Sequence, residues 1–318
     1  MAKSANSPQV YKFGGASLGD GAAFKHAASI VRAAGTPLAV VCSAPAGVTD
    51  LLLEAATKAR AGDVAAATIA TKALREKYDA ILRTLTFPAR VGRELEAEIA
   101  ASLSELETLL GGLAVLRELS PRTSDLVVSR GERMGTRVFA AALAGAGVKA
   151  EYVDALDIIV TRGPFGNASP DLEATDSKAK RRLAPLLAAG IVPVIPGFLG
   201  SYQARGDEPG APPALVTLGR GGTDLTATLV GRALGSQAVT LWKDVPGLLT
   251  ADPRVVPDAR VIPQLNVREA AELAYYGAKV LHPRALIPLA GKDIPLFVRP
   301  FGVPDDAGTE ISARHTLD

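Results

Sequence analysis

The stretch PALVTLGRGGTDLTATLVGRALG, residues 213–235, decides how the rest of the chain is read. Its first five residues are a short apolar run, the next seven set three glycines around Arg220, and from Asp224 onward leucines, alanines and valine recur at helical spacing. That order is strand, glycine loop, helix. The glycines allow a sharp turn and close approach of a ligand. Thr223 and Asp224 suit the orphan N–H groups of a helix start, which also attracts anions. Arg220 adds a planar double donor that can grip a carboxylate or phosphate bidentately. Taken alone, the same seven residues fit a tight turn with a solvated arginine equally well.

Upstream the pattern repeats. QVYKF (9–13) reads as a strand ending in Gly14-Gly15, residues 22–34 as an Ala-rich helix, and PLAVVCSA (37–44) as an inner parallel strand. The loops KFGGAS (12–17) and SAPAGVT (43–49) fall where these strands finish, the edge at which open α/β sheets bind ligands. From Asp50 to about Leu119 the pattern is almost entirely helical, and another helix is expected to begin near Ser124. That helix places Ser129 and Glu132 on one face, where a core-facing glutamate needs a partner. Strands KAEYVDA (149–155) and DIIVT (157–161) follow, then a polar loop, a helix to about Ala189, and a strand and turn in IVPVIPGFLGSY (191–202). The run ARGDEPGAPP (204–213) reads as a boundary between two lobes.

Beyond the glycine loop, QAVTLWKDV (237–245) is a strand with Lys243 and Asp244 at its end. PGLLTADPRVVPDA (246–259) is irregular and carries Asp252 and Arg254. Residues 266–290 read as helical with an interruption at YYGAKVLHP, and DIPLFVRPF (293–301) as the last strand before a short tail. Alternating strands and helices of this kind specify an α/β fold around a mainly parallel sheet.

Composition narrows the function. Of 318 residues, 48% are apolar and 21% charged, with 35 basic and 33 acidic side chains intermixed for a net charge of +2, so no nucleic-acid surface is expected. The cluster KAKRR (178–182) reads as a solvated helix face. One cysteine, Cys42, and three histidines exclude a disulfide framework and a Cys/His zinc cluster, and a reducing cytoplasm is the natural setting. The N-terminal MAKSANSPQ lacks the apolar core of a signal peptide. Only Leu183–Tyr202 raises the membrane question, and its prolines and glycines argue against a span; no membrane or metal-ligand cluster is expected.

Charged groups collect beside glycines at strand ends: Lys12, Arg220, Asp224, Asp244 and Lys279. A nucleotide phosphate attacked by a carboxylate would use all of them, since phosphoryl transfer needs cations on the β and γ oxygens, a divalent metal and in-line placement. Each lysine alone is more often solvated. No Walker loop, no protein-kinase H-R-D or D-F-G, and no Rossmann G-x-G-x-x-G is present, because Asp224 stands where the third glycine belongs.

Seven motifs, KFGGAS (12–17), SAPAGVT (43–49), SRGE (129–132), LGRGGTD (218–224), WKDVPG (242–247), TADPR (250–254) and YGAKVLHP (276–283), resemble in order those of aspartate kinases. The resemblance implies the amino-acid kinase fold, a three-layer αβα sandwich with two lobes, here 1–203 for the amino acid and 204–318 for the nucleotide. It implies phosphoryl transfer from MgATP to L-aspartate, as at the entry to lysine, threonine and methionine synthesis, and a homodimer. By the same resemblance Lys12, Asp224 and Lys279 are catalytic, with Gly14 and Gly15 beside the phosphoryl group. Ser43, Thr49, Glu132, Arg220 and Thr223 form the aspartate pocket, with Arg220 on a carboxylate and Glu132 on the α-ammonium. Lys243, Asp244, Arg254 and Lys279 lie on the ATP side. Ala16 replaces the family's usual threonine, Leu249 stands where some members have tyrosine, and the segment before LGRGGTD is longer than usual. Family members continue past GTEIS (308–312) into paired regulatory domains, so these residues are expected to be kinase lobes without regulatory domains or feedback inhibition, whether as an unregulated kinase, the kinase part of a fused enzyme or a truncated piece. A kinase for an acylated glutamate and a non-catalytic amino-acid-binding subunit are the alternatives.

Overall fold

Two faces of one buried sheet explain the architecture. The computed structural model describes residues 7–35, 37–202, 213–275 and 280–313. The first half runs β1 (Gln9–Phe13), α1 (Gly21–Ala33), β2 (Leu38–Cys42), then four helices, α2 (Val48–Arg60), α3 (Val64–Thr84), α4 (Ala89–Leu116) and α5 (Pro121–Gly145). Next come β3 (Ala150–Tyr152), β4 (Val160–Arg162), β5 (Ser169–Pro170), α6 (Leu172–Ala188), β6 (Val192–Pro196), β7 (Leu199–Tyr202) and β8 (Ala214–Thr217). The chain continues through α7 (Gly222–Leu234), β9 (Ala238–Lys243), β10 (Gln264–Asn266), α8 (Val267–Tyr275), β11 (Leu296–Pro300) and β12 (Thr309–Ser312).

Eight strands form the main sheet in the order β10-β12-β11-β9-β1-β2-β6-β3, parallel throughout except for the β11–β12 pair. A second sheet, β5-β4-β7-β8, carries the approach to the glycine loop. Because successive side chains alternate across a strand, Tyr11, Phe13, Val40 and Cys42 pack beneath α1 to α5, while Val10, Ala39, Val41, Val239 and Leu241 pack against α6 and α7. The result is the expected αβα sandwich. The same parity puts Lys12 and Lys243, at the ends of neighbouring strands β1 and β9, on the α7 side.

Several local expectations change. Helix α5 starts at Pro121 rather than near Ser124, because Ser120 caps it by accepting from the Thr123 N–H at 3.2 Å and proline suits the first helical position. Residues 199–202, expected as a turn, pair as β7, and the expected tail forms β12 between β10 and β11. Prolines 283 and 288 reduce the segment from 283 to 289 to two short 3₁₀ turns. All of the expected lobe boundary at 204–213 except Pro213, and the YGAK part of the helix interruption, lie outside the described residues. Leu183–Tyr202 divides between α6, β6 and β7. The described helix long and apolar enough to cross a membrane is instead α4. Leu95, Ile99, Leu103, Leu106, Leu110 and Leu113 form its buried face, and Glu96, Glu98 and Glu107 stand on the exposed one.

Helix α7 approaches the sheet closely at Gly231, where a Cβ would overlap Val239 Cγ2. Intrinsic propensity favours alanine over glycine in a helix by about 1 kcal/mol, but overpacking against a stiff β-branched strand residue costs about 1–3 kcal/mol. We expect Gly231→Ala to be net destabilising in urea unfolding; a gain in stability would contradict the close contact.

Candidate active site

Asp224, in the first turn of α7, lies between the two strand-end lysines. Its Oδ1 is 2.8 Å from Lys12 Nζ and its Oδ2 is 2.7 Å from Lys243 Nζ, with the Lys12 and Asp224 side chains only 7% and 8% exposed. Burial by itself would raise the Asp224 pKa, but the two ammonium charges outweigh it and hold the carboxyl below its ordinary value. Burial lowers the Lys243 pKa, and the neighbouring Lys12 lowers it further against the pull of Asp224. The arrangement presents a net positive edge where strands β1 and β9 end.

A cleft of about 270 Å³ opens at this edge. All five residues expected to hold the amino acid line it, Ser43, Thr49, Glu132, Arg220 and Thr223, together with Lys12 and Asp224. They arrive from four elements: Ser43 follows β2, Thr49 lies in the first turn of α2, Glu132 is on α5, and Arg220 and Thr223 flank the start of α7. Gly219 (φ 73°) and Gly221 (φ 71°) adopt left-handed backbone on either side of Arg220, which is why this loop needs glycine at both positions. Arg220 is exposed and makes no ion pair with another described residue. Glu132 is the opposite case. It is 6% exposed, its Oε2 accepts the Ala44 N–H at 2.7 Å, and burial pushes its pKa up to about 8 against that hydrogen bond and the charge of Lys12.

The remaining expected residues are distributed as follows. A Cβ at Gly14 would stand 3.1 Å from Lys12 Nζ, and one at Gly15 would stand 3.0 Å from the Ala44 carbonyl oxygen, so both keep the β1 turn thin beside the lysine. Asp244 is exposed directly after Lys243. Arg254 is 78% exposed and grips its near neighbour Asp252 through Nε at 3.0 Å and Nη2 at 2.6 Å, a local pair separate from the cleft lining. Lys279 lies outside the described residues. Among the described residues no group of three or more His, Cys, Asp or Glu side chains gathers to hold a metal.

Sequence reasoning missed Phe198, which lines the cleft with a left-handed backbone (φ 70°). Its N–H donates to Thr226 Oγ1 at 3.0 Å and its carbonyl accepts the Leu218 N–H at 2.8 Å, so partners on α7 and the glycine loop enforce the conformation. The only local signal was its place in an apolar Pro-Gly-Phe turn.

The model of the amino acid kinase family matches residues 7–300. The chain belongs to that family. Among amino acid kinases, lysine-sensitive aspartokinase 3 of Escherichia coli is 39% identical over 300 residues, covering 94% of this chain and 63% of that protein. Aspartokinase 1, chloroplastic, of Arabidopsis thaliana is 39% identical over 97% of this chain and 52% of its own length. The crystal structure of E. coli aspartokinase III in complex with aspartate and ADP superposes with a TM-score of 0.86 at 36% identity, covering 97% of this chain and 65% of that one. This amino acid kinase chain therefore spans between about half and two thirds of the length of these relatives.

The state of Glu132 has a measurable consequence. Its folded pKa of about 8 lies above the ordinary 4.5, so the folded protein retains a proton that the unfolded chain has lost between those values. The stability this contributes is complete below about pH 4.5 and is lost as pH rises toward 8, a difference of about 3–5 kcal/mol. Glu132→Gln, which keeps an acceptor for Ala44, is expected to flatten that part of the stability–pH curve in chemical denaturation. Parallel curves for the two proteins would show that folding does not shift the Glu132 pKa.

Proposed function

We propose that the chain is the catalytic unit of an ATP-dependent aspartate kinase, transferring the γ-phosphoryl group to the β-carboxylate of L-aspartate to give 4-phospho-L-aspartate. The observation that carries this reading is the single cleft in which Arg220 and Glu132 accompany Lys12. A zwitterion needs a cation and an anion at separate ends, and these side chains provide both. The relatives named aspartokinase support the same acceptor.

In this reading Arg220 holds a substrate carboxylate bidentately, with Ser43, Thr49 and Thr223 as neutral donors around it. Glu132 takes the α-ammonium, which supplies the positive partner that a buried carboxylate lacks. A β-carboxylate oxygen attacks the γ-phosphorus, the bond to the β,γ-bridging oxygen breaks, and ADP leaves with that electron pair. The attacking group is already an anion, so no general base is needed. Lys12 stabilises charge on the transferring oxygens, and Asp224 keeps Lys12 and Lys243 aimed at them. Gly14 and Gly15 leave room beside the phosphoryl group, and Lys243, Asp244, Arg254 and Lys279 serve the nucleotide. Mg²⁺ would neutralise phosphate charge while taking its ligands chiefly from phosphate oxygens and water. Asp244 is the exposed carboxylate at hand, since Asp224 is committed to two lysines. Residues 1–203 and 204–318 act as the amino-acid and nucleotide lobes of a homodimer, and the single cysteine suits a reducing cytoplasm. The product feeds lysine, threonine and methionine synthesis.

An N-acylated glutamate lacks the ammonium that Glu132 would pair with, so the cleft favours the free amino acid over that acceptor. The deciding experiment is ADP release with MgATP and L-aspartate, L-glutamate or N-acetyl-L-glutamate, with hydroxylamine trapping the acyl phosphate. Aspartate-dependent turnover with hydroxamate formation is expected; turnover on N-acetyl-L-glutamate alone, or aspartate binding without turnover, would overturn the reading. Arg220→Ala is expected to raise the aspartate KM by about 100-fold, the loss of a charged bidentate contact, with the MgATP KM nearly unchanged. Lys12→Ala is expected to lower kcat by about 10²–10⁴-fold, and a near-normal rate would remove Lys12 from the chemistry.

A further inference from the structure

The geometry points to Arg284 as a positioning residue that aims Arg220 into the cleft, by clamping the glycine loop to the neighbouring 166–168 loop. This rests on the assignment of Arg220 to the acceptor carboxylate.

Arg220 has no ion pair among the described residues to direct it, so its aim depends on its backbone. That backbone is wedged on both sides. A Cβ at Gly219 would stand 2.5 Å from Asn167 Oδ1, and one at Gly221 would overlap His282. Arg284 ties these walls together. Its Nη1 donates to the Leu218 carbonyl at 2.5 Å and to Asn167 Oδ1 at 2.9 Å, and its Nη2 donates to the Ala168 carbonyl at 2.9 Å. His282 Nδ1 in turn accepts the Arg284 backbone N–H at 3.3 Å, which links the residue packed on Gly221 to the clamp.

A second charged group, an acid, ties the 166–168 loop to the end of β8, which leads into the glycine loop. Asp125 on α5 is 2% exposed. Its Oδ2 accepts the N–H groups of Gly166 and Thr217, each at 2.9 Å, and its Oδ1 accepts Thr217 Oγ1 at 2.7 Å. The backbone adds Ala168 N–H to the Thr217 carbonyl at 2.9 Å. A buried carboxylate and a part-buried guanidinium thus use their charges on neutral groups of the same loop pair, although no salt bridge joins either of them to an opposite charge among the described residues. Charge-assisted hydrogen bonds of this kind are about twice as strong as neutral ones. Fixing the loop in this way fixes the Cα–Cβ direction from which the Arg220 side chain reaches a ligand, whereas a looser loop would move that starting point.

Arg284 sits two residues after His282, at the end of the motif that also contains Lys279, so the clamp is delivered by the nucleotide half of the chain while its target faces the amino acid. A clamp acting only through Arg220 makes a prediction that a general structural role does not. Arg284→Ala should raise the aspartate KM by about tenfold or more, with kcat and the MgATP KM changed by less than about threefold. Combined with Arg220→Ala it should add less than about twofold, because no guanidinium remains to be aimed. Arg284→Lys keeps the charge but not the fork, and should recover part of the loss. Asn167→Ala, at an exposed position, removes one acceptor without risk to folding and should raise the aspartate KM by about two- to fivefold on its own.

Wild-type turnover is measured first across the three acceptors, and the variants are then assayed on whichever carboxylate turns over, so a wrong substrate assignment is seen separately from a wrong role for Arg284. Equal rises in both KM values, additivity with Arg220→Ala, or an unchanged aspartate KM in Asn167→Ala would each overturn the proposal. Should Arg284→Ala fail to fold, Arg284→Lys and Asn167→Ala decide it.

Discussion

The site depends on one carboxylate between two lysines. Lys12 and Lys243 reach the same side of the sheet because they occupy matching ends of adjacent parallel strands, and Asp224 makes that tolerable by contacting both within 2.8 Å. Without it, two buried ammonium groups would face each other with nothing to offset their desolvation. Asp224 can be there only if α7 begins at the sheet edge, which requires the left-handed turn through Gly219 and Gly221, and only if α7 lies close to β9, which requires Gly231. The glycine pattern, the helix packing and the charge cluster are therefore one constraint stated at three levels.

Much of this was legible from local pattern. Strand parity and the glycine spacing place Lys12, Arg220 and Asp224 at one edge, and Glu132 stands out as an acid on an apolar helix face. What was not legible involves partners distant in sequence. Phe198 holds a positive φ because Thr226 and Leu218 bond its backbone, and nothing in the residues around it specifies that. Strand β12 looks like a tail until β10 and β11 are seen on either side of it. The carboxylate of Asp125 bonds Gly166 and Thr217, 41 and 92 residues away, and no local pattern specifies either partner. Helix α5 is a smaller case, since Ser120-Pro121 is a local start signal lying a few residues before the expected Ser124.

Charge alone does not make a functional residue, as the residues proposed for the ATP side illustrate. Arg254 satisfies its guanidinium two residues away, on Asp252, in an exposed pair of the kind that contributes little to stability. Lys243, by contrast, is mostly buried and its only described acceptor is a carboxylate shared with Lys12. Ionisable groups withdrawn from water and forced to share a partner are poised to respond to an added charge, and an exposed local pair is not. The weight of the nucleotide-side assignment consequently falls on Lys243 among the described residues.

Glu132 and Asp224 complete the argument because they are chemically alike and electrostatically opposed. Both line one cleft and both are buried, but Asp224 has two cations and favours its charged form, whereas Glu132 has one backbone N–H and a more distant lysine and favours its proton. Each environment matches a different demand. A carboxylate that holds two buried lysines must stay ionised, since losing its charge would release both. A carboxylate that receives an ammonium group gains from being under-satisfied until that group arrives, because the incoming cation then provides the partner the fold withholds. In the proposed role, a ligand without the cation leaves Glu132 neutral and gains nothing there, so discrimination between a free and an acylated amino acid would follow from how poorly Glu132 is solvated.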